Sequence, residues 1–125
     1  MLLQDFYSVD TINTISDGKY VASITLNKNH AIFKGHFPGN PVTPGVCMMQ
    51  IIKEITENIL NVSLTMVSTS NVKFMALINP EVNAKLTLEL EISENEASEI
   101  KVKNTTSFDE TVALKLSNTY KKIAS

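Results

Sequence analysis

Four glycines and four prolines are all that this chain has for interrupting a helix or a strand, and six of the eight fall between Gly35 and Gly45. Gly35, Pro38, Gly39, Pro41, Pro44 and Gly45 therefore concentrate the special backbone geometry in one loop. Outside it the chain is bound to long regular elements. Loops of this composition, set on rigid scaffolds, are where binding and catalytic groups tend to sit.

The flanking patterns define those elements. Phe6 to Ile15 is rich in β-branched and aromatic residues, Ser16-Asp17-Gly18-Lys19 has turn chemistry, and Tyr20 to Leu26 alternates again, which predicts a hairpin. After the loop, Val46, Met48, Met49, Ile52, Ile55, Ile59 and Leu60 recur at helical spacing. Thr43 and Pro44 suit the N-cap and first helical position, so one main helix is expected over about Gly45 to Leu60.

From Ser63 the period becomes two. Leu86, Leu88, Leu90 and Ile92 alternate with Thr87, Glu89 and Glu91; Ile100 and Val102 follow a turn at Asn95 to Ser98; Val112, Leu114 and Leu116 follow Asp109-Glu110. Two strands, one helix and three or four further strands predict an α+β domain, an antiparallel sheet of five to seven strands wrapped around one helix. At 125 residues with 43% hydrophobic composition, residues 1–125 form a single domain with material for a core.

Charge narrows the function. A net charge of −2 with 19% charged residues supplies no basic field for nucleic acid. The apolar runs are far shorter than a bilayer-crossing segment, so no membrane partner is expected. A lone Cys47 cannot close an intrachain disulfide, which points to a reducing, cytoplasmic setting. Two histidines, one cysteine and no clustered carboxylates argue against a metal site, and no glycine-rich phosphate loop opens from a strand. No cofactor is expected.

The stretch NHAIFKGHFPGNPVTPGVCMMQII, Asn29 to Ile52, resembles the 3-hydroxyacyl-[acyl carrier protein] dehydratases. The likeness is carried by Gly35-His36-Phe37-Pro38 and by Pro41, Pro44 and Gly45, five, eight and nine residues after the histidine. The hairpin, the helix and a Val72-Lys73-Phe74 strand running into Pro80 sit where that family has equivalents. The resemblance implies a hot-dog fold and a lyase removing water from a 3-hydroxyacyl thioester to give a trans-2-enoyl thioester, in fatty-acid or polyene-type biosynthesis. It also implies a homodimer or higher homo-oligomer with sites shared between subunits, and acyl carrier protein or coenzyme A as the bearer of the substrate.

Dehydration needs a base for the α-proton, a donor for the enolate-like oxygen and an acid for the departing hydroxyl. His36 is the candidate base, since imidazole is available in its neutral form near pH 7; the alternative is a histidine simply held in a tight loop. The Gly45 and Val46 amides, at a helix N-terminus, are candidate oxyanion donors, or merely the start of a helix. The family's helix carboxylate, fourteen residues after the histidine, is replaced here by Gln50, which can orient a hydroxyl or a water but cannot donate a full proton. Glu54, one turn on, is either a substitute acid or part of an exposed helix surface.

Met48, Met49 and Phe74 are expected along an acyl groove, and the apolar Met48, Met49, Ile51 and Ile52 in a dimer core. Lys34, Lys73 and Lys85 are candidates for carrier recognition. His30 reads as a loop-surface residue and Cys47 as a small apolar residue of the helix. The rival functions are an acyl thioesterase, with Gln50 positioning a water, and a non-catalytic acyl-binding subunit.

Overall fold

The computed structural model describes residues 5–35 and 42–123. The element order is β1 (Tyr7–Ser16), β2 (Lys19–Leu26), α1 (Ala31–Gly35), α2 (Gly45–Leu60), β3 (Leu64–Phe74), β4 (Lys85–Glu94), β5 (Glu99–Phe108) and β6 (Thr111–Lys122). All six strands form one antiparallel sheet in the order β1-β2-β4-β5-β6-β3. The chain leaves the β1–β2 hairpin through the glycine-proline loop, traverses α2 to reach the far edge of the sheet as β3, and returns to lay β4 beside β2. This is the hot-dog arrangement, an antiparallel sheet with one long helix.

The two-residue period of the strands decides which face meets the helix. Ala22, Ile24 and Leu26 of β2, Leu86, Leu88 and Leu90 of β4, Ile100 and Val102 of β5, and Leu114, Leu116 and Tyr120 of β6 are buried in one core with Met48, Ile51, Ile52 and Ile55 of α2. Three of the four residues expected to build a dimer core are thus spent inside the monomer: Met48, Ile51 and Ile52 face the chain's own sheet, and Met49 is half-buried. The reason is geometric, because a helix with one sheet beneath it buries its apolar stripe there first.

Turns follow their chemistry. Gly18 takes φ +77°, and a Cβ there would stand 2.8 Å from the Ile92 carbonyl oxygen, so the β1–β2 turn needs glycine on both counts. Asn95 Oδ1 accepts from the Ala97 and Glu99 amides and shapes the β4–β5 turn. α2 ends on Asn61 in the left-handed conformation, φ 55°.

α2 spans the expected Gly45–Leu60, but its cap differs from expectation. Pro44, not Thr43, is the N-cap, with extended backbone and no capping side chain; the Pro44 carbonyl accepts from the Cys47 and Met48 amides. The strand after the helix is also longer than Val72 to Phe74, running from Leu64 with an exposed face along nearly its whole length. None of the helices among the described residues is long and apolar enough to cross a membrane.

Candidate active site

The loop delivers Val42 to Gly45 against the segment that follows β3. The Thr43 amide donates to the Ile78 carbonyl at 2.8 Å, and the Met75 amide donates to Ala113 of β6 at 2.8 Å, so the two walls are tied to each other and one of them to the sheet. Between them lies a largely apolar groove of about 450 Å³, walled by Gly45 and Met48 of α2 and by Phe74, Leu77 and Ile78 among others. That volume is in the range of small-molecule sites.

Gly45, in the groove's wall, is the first residue of α2. Gly45 and Val46 make no backbone hydrogen bond through their N–H groups among the described residues. They are two of the donors that any helix leaves unmet, at the positive end of its dipole. The Phe74 ring lies directly over Gly45: a Cβ there would be 2.7 Å from Phe74 Cζ. Glycine is what permits that approach. Phe74 itself is 59% exposed, so the ring is a cover that solvent also touches.

A second feature lies on the adjoining face of α2. Gln50 Nε2 donates to Glu54 Oε2 at 2.9 Å, and the Tyr7 hydroxyl donates to Glu54 Oε1 at 2.8 Å. Glu54 is therefore half-buried with both oxygens engaged, rather than part of an exposed helix surface. Burial first, then the hydrogen bond to Glu54 and the charges of Glu54 and Glu57, push the Tyr7 phenol above its ordinary range, so it stays a donor. Tyr7 was not legible as a site residue, because it stands 47 positions from its partner in a strand whose local pattern singles out no member.

The sequence candidates thus divide. Gly45, Met48 and Phe74 line the groove, whereas Val46, Met49 and Gln50 line a separate depression with Lys53, Thr65 and Met66. Met48 and Met49 part because successive helical residues diverge by about 100°. Val46, next to Gly45 in α2, is 68% exposed and lines the depression, not the groove. His36 lies outside the described residues, as does the side chain of Lys34. Lys73 and Lys85 are exposed, on β3 and at the start of β4.

The remaining candidates have structural roles. His30 is not a free surface residue: its ring meets Phe6 edge-on at 5.2 Å, and its Nδ1 accepts from the Ile32 amide at 3.1 Å, at the start of α1. Cys47 is buried in the core, and burial pushes its thiol up, away from the reactive thiolate.

Comparison with known proteins places this architecture. A family model described as ApeI-like, ApeI dehydratase, matches residues 12–115. A 3-hydroxyacyl-[acyl-carrier-protein] dehydratase FabZ from Zymomonas mobilis is 28% identical over 113 residues, covering 84% of this chain and 72% of the relative. Matches of higher identity are shorter: with the Lactococcus lactis enzyme of the same name, 39% identity extends over 46 residues, and the chain spans only 30% of that relative's length.

Among solved structures, the dehydratase heterocomplex ApeI:P from Xenorhabdus doucetiae superposes with a TM-score of 0.64 at 19% identity, covering 94% of this chain and 97% of the other. A hypothetical thioesterase with coenzyme A from Streptococcus pneumoniae gives 0.68 at 13% identity, covering 98% and 91%. At such identities the superpositions bear on the fold alone. The family rests on the match across most of the sheet and all of α2: the chain belongs to the ApeI-like dehydratase family.

Proposed function

We propose that the protein dehydrates a 3-hydroxyacyl thioester to the trans-2-enoyl thioester. The observation that carries the reading is the groove itself, an apolar channel with Gly45 in its wall, the residue whose unmet amide, with that of the adjoining Val46, opens α2. An acyl tail fits the channel and a thioester oxygen fits the donors. Family membership supplies the reaction class.

In this mechanism His36 removes the α-proton, and negative charge builds on the thioester oxygen beside the Gly45 and Val46 amides. As the enolate collapses, the C2–C3 double bond forms, the C3–O bond breaks, and the hydroxyl leaves as water with the proton that His36 returns. Gln50, which lines a separate depression on its own subunit, holds the departing hydroxyl across the shared interface, from the partner subunit's helix, its amide oriented by Glu54, which Tyr7 fixes in turn. Met48 and Phe74 contact the acyl chain.

The relatives' names support acyl carrier protein as the bearer of the substrate, and the loop's resemblance supports fatty-acid or polyene-type chain building. The assembly is a homodimer or higher oligomer. Support comes from β3, an edge strand of eleven residues with Met66, Val67 and Val72 exposed and Lys73 its one charge. Unprotected edges of that kind are templates for pairing.

A 3-hydroxyacyl N-acetylcysteamine thioester, followed in parallel for enoyl absorbance and for released thiol, tests the reaction. Enoyl formation without thiol is expected. Thiol release without enoyl would make the protein a thioesterase.

A further inference from the structure

Thr43 is the residue whose position in the structure its sequence role does not explain. As an N-cap its hydroxyl would bond to the first turn of α2, but Pro44 occupies the cap and no side chain serves there. The hydroxyl has not gone to solvent either. Thr43 is 7% exposed, and its Oγ1 is buried with no hydrogen-bond partner among the described residues. A buried hydroxyl without a partner destabilises a fold, and valine would fill the same space without that cost. Such groups call for an explanation, of which a ligand is one.

Its surroundings suggest which ligand. Thr43 is in the wall of the apolar groove, two residues before the unmet Gly45 amide, and its own amide is locked to Ile78 at 2.8 Å. Among the described residues, the rest of the groove's lining here is apolar side chain, proline ring or backbone. A 3-hydroxyacyl thioester carries two polar groups at its head. The α2 amides can serve the carbonyl oxygen; for the 3-hydroxyl, two carbons along, the Thr43 hydroxyl is the one polar side-chain group in the groove's own lining among the described residues, and it can bind that hydroxyl in addition to Gln50.

We propose that the Thr43 hydroxyl hydrogen-bonds the 3-hydroxyl of the substrate and so selects hydroxyacyl over saturated acyl chains. The inference rests on the dehydratase reading and adds a substrate-binding residue to it. A hydroxyl suits the task because it donates and accepts at once. Sites built around a polar contact discriminate strongly against ligands that lack the matching group.

The test is calorimetric binding of two probes, 3-hydroxyoctanoyl and octanoyl N-acetylcysteamine thioesters, to a His36→Ala protein, alone and combined with Thr43→Val or Thr43→Ser. The expected result is a preference for the hydroxylated probe of about tenfold with Thr43 or Thr43→Ser. With Thr43→Val the preference vanishes and the protein melts at a higher temperature. A preference that survives Thr43→Val, or is absent from the parent, overturns the proposal. The enoyl assay on the natural protein separates the two readings: a Thr43-dependent preference without enoyl formation supports the binding role and removes the dehydratase, whereas dehydration with full kcat/KM in Thr43→Val removes the binding role alone.

Discussion

Gln50 and Glu54 stand one helical turn apart, with 2.9 Å between amide nitrogen and carboxylate oxygen. Replacing Gln50 with Glu therefore does more than restore a family residue: it sets two carboxylates at hydrogen-bonding distance. They cannot both ionise cheaply, so one proton is shared and the pair's upper apparent pKa rises. The variant gains a proton donor that is present at low pH and lost as pH rises through that raised value. Dehydration by Gln50→Glu is expected to exceed the natural protein by about tenfold at the acid end and to lose that advantage in alkali, read from a pH–rate profile. A flat ratio across pH would mean that residue 50 does not handle the proton. The loop motif and the +14 spacing single out His36, Gly45 and Gln50; the structure places Gly45 in the groove wall and Gln50 against Glu54, and His36 lies outside the described residues. The Tyr7 contact was not legible from sequence, because a bond between a strand and a helix 47 residues apart leaves no local trace.

Elements were read more fully than their ends. Strict alternation from Leu86 to Ile92 and the 3.6-residue stripe of α2 report burial directly, so β4 and the helix fell where the pattern put them. β3 was under-read, since an edge strand exposed on nearly every residue has little reason to alternate. The cap of α2, not its span, moved by one residue because proline, with no N–H, is as comfortable just outside a helix as at its first position.

Two predictions belong at this scale. Gly18→Ala should destabilise the fold by about 2 kcal/mol, since it forces a Cβ into a positive-φ position against the Ile92 carbonyl, and a denaturant midpoint measures it. Val67→Lys, on the exposed edge strand, should yield a folded monomer by light scattering. An unchanged oligomer would place the interface elsewhere.

The molecule as a whole carries buried phenols that tie its stability to pH. Tyr120 is fully buried, accepts a hydrogen bond from Asn118 Nδ2 at 2.8 Å, and has its phenol pushed from an ordinary 10.0 up to about 12. Burial is the main cause, the charge of Glu57 adds to it, and the Asn118 bond opposes it. Tyr7 is shifted in the same direction. Because the folded state holds these protons more tightly than the unfolded chain, their contribution is complete below pH 10 and is lost as pH rises toward 12. Denaturant midpoints should fall between those two values, and Tyr120→Phe should flatten the fall.

All of these features serve one claim, that an apolar groove with Gly45 and its unmet helix amide in the wall presents a 3-hydroxyacyl thioester to His36 for loss of water. The most direct measurement is to incubate the natural protein and His36→Ala with a 3-hydroxyacyl thioester in deuterium oxide and to follow the acyl group by mass spectrometry. The account predicts trans-2-enoyl product, with deuterium entering C2 as the reaction runs in reverse, and neither with His36→Ala. Free carboxylic acid with no enoyl product, or enoyl formation undiminished in a folded His36→Ala protein, would contradict it.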